Sequence, residues 1–284
     1  MNVLEAVQNV TRAWLQARGV RSRTERMADH EVHHYVLEGT GGGPPVFLVH
    51  GLGGSANGYA AILFGLARRF RRIHALDMPG HGLSPEPAVP LTLRAQMDLL
   101  HAYARRELPQ PALVVGNSLG GALSIQLAAE APEHVRALAL LAPGGARVEE
   151  ARMEELWNHL DVRTPEQARE MSARLFHRLP LSLRLFGSHM QSFYGTPTVR
   201  ALIEEARREQ ALAPEMLASL RPPVLLWWGE GERLLPYEGV EYFRAHLPPG
   251  SKVEVVPGSG HVPQIEVPDL VVQRLVRFAD DLGL

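Results

Sequence analysis

A-L-V-V-G-N-S-L-G-G, residues 112–121, is the stretch from which the fold can be read. Ala112 to Val115 form an apolar run bounded by Pro111 and Gly116, which predicts a short buried strand. Past Gly121 come Leu123, Leu127 and Ala128 on one helical face. Ser118 therefore stands on a sharp turn between a strand and a helix, flanked by Gly116 and Gly120 as G-x-S-x-G. Such a turn strains the serine backbone, and the glycines allow close approach of strand and helix. The opening N–H groups of the helix lie beside the hydroxyl. Those are the needs of a nucleophile whose product is an oxyanion. Alone, the five-residue pattern is weak; its meaning depends on partners elsewhere.

Strands and helices alternate on both sides of this stretch. Val46 to Val49 reads as a strand ending in His50-Gly51-Leu52-Gly53-Gly54, then a helix over 57–70. Ile73 to Leu76 is the next strand, ending in Asp77, and 91–108 is helical. A strand over 137–141 closes on Pro143-Gly144-Gly145. Nearer the start, 20–27 and 31–37 suggest two antiparallel strands. Before them Val3, Val7, Val10 and Trp14 recur at helical spacing, as in an amphipathic helix lying on the body of the protein. Regular alternation predicts an α/β fold, a mostly parallel sheet with helices on both faces.

The alternation stops over 146–213. Met153, Leu156, Trp157 and Leu160 are spaced as on one helix, followed by Leu175, Phe176, Leu179, Leu183, Leu185, Phe186, Phe193 and Tyr194. It resumes with a strand at 223–228, a helix at 237–246, a strand at 253–256 and a helix at 268–282. The expected organisation is a core of 1–145 and 214–284, its first helix at 1–18, interrupted by a helical cap insertion at 146–213.

Composition narrows the chemistry. The 284 residues include 29 basic and 31 acidic side chains, a formal charge of −2, which gives no electrostatic case for nucleic acid or an anionic membrane. There is no cysteine, so disulfides and thiolate catalysis are excluded. No run approaches the roughly 20 apolar residues of a membrane helix. The first residues lack a basic start and carry Glu5, unlike a signal peptide, so a cytoplasmic location is expected. His33 and His34 are adjacent and would point to opposite faces of a strand. No H-E-x-x-H, G-x-G-x-x-G or P-loop spacing is present, and no metal site is suggested.

In a parallel sheet, functional groups gather at the carboxyl ends of the strands. Here those ends offer His50-Gly51-Leu52, Asp77, Ser118, Glu230 or Glu232, and His261. A serine nucleophile needs a base, an acid to orient it, and oxyanion donors. His261, in Gly258-Ser259-Gly260-His261-Val262-Pro263, sits on a loop just past the last strand and is the candidate base.

Taken with D-M-P-G-H-G-L-S at Asp77, W-G-E-G-E-R-L-L-P at Trp228 and G-S-G-H-V-P-Q-I-E-V-P-D at Gly258, the chain resembles the α/β-hydrolase fold superfamily with a cap, from about residue 30 onward. The order Ser, acid, His matches. Members usually carry Asp four residues before the proline of the loop after this strand. Pro236 minus four is Glu232, a departure from that residue, with Glu230 as competitor. The resemblance implies oxyanion donors at the Leu52 and Leu119 N–H groups, a structural turn at Asp77, His81 and Ser84, and no cofactor. It favours His50 as a brace over His50 as a second base. Asn117 either faces the pocket or fills the turn. Asn117 and Trp157 are the candidate substrate contacts.

The expected activity is hydrolysis, through an acyl-enzyme, of a small to medium, largely apolar carboxylic ester. Carbon–carbon bond hydrolysis of the meta-cleavage-product type is the alternative, against which no paired basic residues for a dienoate carboxylate are evident. A peptidase or a perhydrolase is also possible. A non-catalytic binding module is a third class, disfavoured because all three triad members are present. A small-molecule substrate is the only partner expected, and the oligomeric state is open.

Overall fold

The central strands are apolar at nearly every position because both of their faces are covered. In β3 (Val46–Val49), Phe47 and Val49 join one core while Val46 and Leu48 join the other. In β5 (Ala112–Ser118), Val114 faces the first core and Leu113 and Val115 the second. In β7 (Val224–Gly229), adjacent Trp228 and Trp227 divide the same way.

The computed structural model describes residues 3–89, 91–181, 187–208 and 211–284. Among them the strands form one sheet, completed by β1 (Arg21–Met27), β2 (His30–Glu38), β4 (Arg72–Leu76), β6 (Val135–Pro143) and β8 (Lys252–Val256). Its order is β1-β2-β4-β3-β5-β6-β7-β8. β2 pairs antiparallel with β1 and β4, and every other pairing is parallel. This is the mostly parallel α/β sheet that the alternation predicts. α3 (Leu93–Glu107), α4 (Leu119–Glu130) and the helix Glu238–His246 supply Leu100, Leu127 and Phe243 to one core. α2 (Ala60–Ala67) and the helix Pro268–Asp281 supply Ile62, Leu66 and Leu275 to the other. Burial of each such side chain stabilises by about 1.5–3 kcal/mol.

From β3 the chain crosses to β4 on one side, then to β5 on the other. The carboxyl ends of β3 and β5 therefore diverge into a crevice, the usual ligand position in open α/β sheets. His50 follows β3, and Ser118 ends β5.

Over the insertion the described residues are helical or irregular, with α5 (Glu150–Leu160), α6 (Pro165–Leu175), a one-turn helix Gln191–Tyr194 and a helix Pro197–Ala206. α6 begins where its sequence dictates: Thr164 and Gln167 form a capping box, and Pro165 opens the first turn. Leu156, Leu160, Met171, Leu175 and Val199 share a small core with Leu234 and Val262 from the loops after β7 and β8. Leu183, Leu185 and Phe186 lie outside the described residues.

One expectation holds in part. α1 (Val3–Ala17) rests on the body through Gln8 and Leu15, and Trp14 packs edge-on against Phe64 with ring centroids 5.6 Å apart. Val7 and Val10, of the same predicted stripe, are 55% and 68% exposed. Periodicity identifies a stripe but does not say how far it turns toward the core.

His33 and His34 do point apart. His33 Nδ1 bonds Asp77 Oδ2 at 2.7 Å and its Nε2 bonds Ser22 Oγ at 2.8 Å. On the other face, His34 Nδ1 and His74 Nδ1 both reach the Tyr103 hydroxyl, at 2.8 and 3.0 Å. Burial lowers the pKa of both His34 and His74, the latter to about 3.

Candidate active site

Ser118 has φ 55° and ψ −122°, a conformation that few non-glycine residues adopt. The strain arises because β5 must give way to α4 within one residue. Gly120 makes this possible, since a Cβ there would lie 2.3 Å from Val49 O. Leu119 supplies the first N–H of α4, and such N–H groups have no acceptor within the helix. The His50-Gly51-Leu52 loop lies against the serine: a Cβ on Gly51 would be 2.8 Å from Ser118 Cβ.

His50 is a brace by its hydrogen bonds. Its Nε2 accepts the Met78 N–H at 3.0 Å, so the proton sits on Nδ1, which donates to Gly51 O at 2.8 Å. Burial lowers its pKa, partly offset by the Asp77 charge, consistent with this neutral tautomer. Asp77 is structural in the same sense. It accepts the Ala56 N–H at 2.6 Å and the Leu83 N–H at 3.1 Å, while Ser84 Oγ donates to the Asp77 carbonyl at 2.7 Å. Ser22, His33 and Asp77 thus repeat the order of a proton relay without bordering the cavity at Ser118.

The acid and base candidates meet beyond β7 and β8. Glu232 Oε2 lies 2.7 Å from His261 Nδ1, and the side chains are 2% and 3% exposed. The other oxygen, Oε1, accepts the Leu234 and Leu235 N–H groups at 2.7 and 3.0 Å. Glu230 is exposed, its N–H bonded to Val256 O. Glu232, the acid that the offset to Pro236 favours, is brought to the imidazole, and its competitor Glu230 is not. No hydrogen bond joins Ser118 to His261 among the described residues. Such bonds are often long before substrate arrives.

Asn117 fills the turn as well as bordering the cavity. Its Nδ2 donates to Leu141 O and His261 O at 2.8 and 2.9 Å, and its Oδ1 accepts from Gln264 Nε2 at 3.1 Å. These bonds engage both of its polar atoms and anchor the His261 loop.

Ser118, His261, Leu52 and Leu119 open onto one cavity of about 1200 Å³, larger than the roughly 300–1000 Å³ of most ligand pockets. The insertion walls it with Leu156, Trp157, Phe176, Met190, Phe193 and Tyr194. These helices therefore cover the carboxyl edge of the sheet, and Trp157 is where the sequence expects a contact. Sequence reasoning missed Arg94, Arg147 and Arg207, which line the same cavity although far apart in the chain. Among the described residues, no aspartate or glutamate joins them there. No local motif announces this grouping; it exists only once the helix Pro197–Ala206 packs on α3, where Glu205 accepts the Leu93 N–H at 2.6 Å.

Comparison with known proteins agrees with this architecture. The chain is 30% identical over 246 residues to the pimeloyl-[acyl-carrier protein] methyl ester esterase of Chromobacterium violaceum, covering 80% of this chain and 91% of that one. Among solved structures, it is similar to a membrane phospholipase A described as a bacterial virulence factor, with a TM-score of 0.85, 24% identity and coverage of 99% and 91%. It is also similar to a meta-cleavage product hydrolase from Pseudomonas fluorescens, with a TM-score of 0.73, 20% identity and coverage of 91% and 98%. A model of the alpha/beta hydrolase family matches residues 46–274. The chain belongs to that family.

Proposed function

We propose that the protein is a serine hydrolase that cleaves a carboxylic ester of an apolar acyl group of small to medium size. The observation that carries this reading is the buried Glu232–His261 pair, which opens with the strained Ser118 onto one large apolar cavity. Ser118 Oγ attacks the ester carbonyl as His261 Nε2 takes its proton. Glu232 holds the Nδ1 proton and stabilises the imidazolium. The Leu52 and Leu119 N–H groups receive the oxyanion. The tetrahedral intermediate collapses, His261 returns the proton to the departing alkoxide, and water then releases the acid by the reverse sequence. The chemistry named for the Chromobacterium relative, hydrolysis of a methyl ester on an acyl chain, is in keeping with this reading.

The arginines raise one second reading, carbon–carbon bond hydrolysis of a ring-fission product. Arg94, Arg147 and Arg207 border the cavity, where a dienoate carboxylate would compete with the ion pairs that Arg94 makes with Asp98 at 2.8 Å and Arg207 with Glu204 at 3.9 Å. Steady-state assays separate the two. Ester hydrolysis predicts turnover of p-nitrophenyl esters, labelling of Ser118 by a fluorophosphonate, and loss of both in Ser118→Ala. A ring-fission product cleaved about a hundredfold faster than any ester would promote the second reading. Undiminished ester turnover by Ser118→Ala would end both.

A further inference from the structure

The insertion is joined to the catalytic loops along one short segment. From the last residue of α6, the backbone of Leu175 to Arg178 runs between the loop that carries Glu232 and the loop that carries His261. The His261 N–H donates to Leu175 O at 3.0 Å. The Glu266 carboxylate accepts three backbone N–H groups: Gly260 at 2.7 Å and His177 at 3.1 Å on Oε2, and Arg178 at 2.7 Å on Oε1. One side chain thus ties the residue before His261 to two residues of the insertion. The fit is close on both sides. A Cβ on Gly260 would lie 2.6 Å from His177 N, and one on Gly231 would lie 2.3 Å from His177 Nδ1. Leu175 and Phe176 line the cavity on the other side of the segment.

Three N–H donors on one half-buried carboxylate form charge-assisted hydrogen bonds, stronger than neutral ones. The Gly260 peptide precedes His261 directly. A rotation there would swing the imidazole off the line between Glu232 and Ser118, and a displacement of about 1 Å can cost a hundredfold in rate. Gly260 has no side chain to limit such rotation. The restraint on the backbone N–H side comes from the Leu175 carbonyl and the Glu266 carboxylate, and it adds to the anchor that Asn117 Nδ2 gives the His261 carbonyl.

We propose that Glu266 is a positioning residue: it clamps the Leu175–Arg178 strap of the insertion to the catalytic loop and so sets the imidazole of His261. This rests on the assignment of Ser118 and His261 as nucleophile and base. It implies that the insertion is fixed at this edge, so that any opening for substrate occurs elsewhere on its rim.

Glu266→Gln tests the clamp at constant size. An amide has one acceptor oxygen and turns an N–H donor toward the remaining backbone donors. The full-length variant is compared with wild type on a soluble p-nitrophenyl ester, after active-site titration to count folded enzyme. We expect kcat about 10- to 100-fold lower, KM within about threefold, and fluorophosphonate labelling slowed in proportion. The low-field proton resonance of His261 Nδ1–H should broaden or vanish, and Glu266→Asp should restore part of the rate by restoring the charge. Wild-type kcat with an intact resonance would overturn the proposal, as would a rise in KM alone, which would make Glu266 merely part of the cavity wall. If Glu266→Gln does not fold, Glu266→Asp is judged by the same readings. Activity surviving in Ser118→Ala would refute the underlying assignment instead; a dead Ser118→Ala beside an unimpaired Glu266→Gln would refute only the clamp.

Discussion

Replacing Glu232 by glutamine should cripple the enzyme through a single proton. The Leu234 and Leu235 N–H groups can only donate, and they hold one oxygen of Glu232 at 2.7 and 3.0 Å. The amide oxygen of glutamine must therefore remain on them, which turns its NH2 toward His261 Nδ1. An imidazole nitrogen that receives an N–H carries no proton itself, so the ring proton shifts to Nε2. That nitrogen then faces Ser118 as a donor, when the reaction needs an acceptor. The imidazolium also loses its counter-charge. By analogy with triad acids, the loss should be about 10³–10⁴ in kcat, or roughly 4–5.5 kcal/mol of transition-state stabilisation. The assay is kcat and KM on a p-nitrophenyl ester, with KM expected to change little. Glu232→Asp should retain partial activity, since it keeps the charge but cannot reach both the two N–H groups and the ring. Glu230→Gln, altering an exposed side chain, should stay within about twofold of wild type. A crippled Glu230→Gln beside an active Glu232→Gln would refute the reasoning.

Stability should fall in acid. Burial lowers the His74 and His81 pKa values to about 3, so each ring is neutral when folded and titrates near 6.5 when unfolded. The unfolded chain binds more protons below pH 6.5, so the stability held above that pH is lost as pH falls toward 3, by about 1.4 kcal/mol per pH unit for each ring. Unfolding free energies from urea titrations at pH 7.5 and 5.5 should differ by about 3 kcal/mol from these two groups together, and equal values would contradict their burial as neutral rings. In the β1–β2 hairpin, Ala28 and Asp29 have φ of 45° and 65°, the geometry of a type I′ turn. Asp29→Gly should raise stability by up to about 1 kcal/mol, read as a higher Tm, and a lower Tm would count against that strain. Gly120→Ala should destabilise by about 3 kcal/mol or prevent folding, because its methyl would overlap Val49 O and His50 O; a soluble variant with native Tm would show that the elbow can yield.

The parts of the fold legible in sequence are those fixed by local rules. The strand at Val46 to Val49 follows from an apolar run closed by His50-Gly51, the turn at Ser118 from one closed by Gly116, and His261 from a loop placed after the last strand. The four-residue offset from Pro236 favours Glu232 over Glu230, and the hydrogen bond to His261 Nδ1 shows what that offset achieves. The direction of the α1 stripe, the grouping of Arg94, Arg147 and Arg207, and the clamp at Glu266 all depend on which surfaces meet after folding. Glu266 stands inside a motif quoted for its histidine, yet only tertiary contact reveals whom its carboxylate binds.

The Tyr103 hydroxyl carries an ordering of protons with it. It has one hydrogen, and both His34 Nδ1 and His74 Nδ1 lean on it. For all three groups to be satisfied, one ring must give a proton to the oxygen and the other must take one from it, so the two histidines are opposite tautomers. The Glu25 carboxylate, itself paired with Arg106, lies 3.9 Å from His34 Nε2, beyond hydrogen-bond reach, and its charge favours the arrangement in which that nitrogen bears hydrogen. The polarity then runs from His74 through Tyr103 to His34. Phenylalanine at position 103 would remove one oxygen and leave two rings without direction, so its cost should exceed that of a single hydrogen bond.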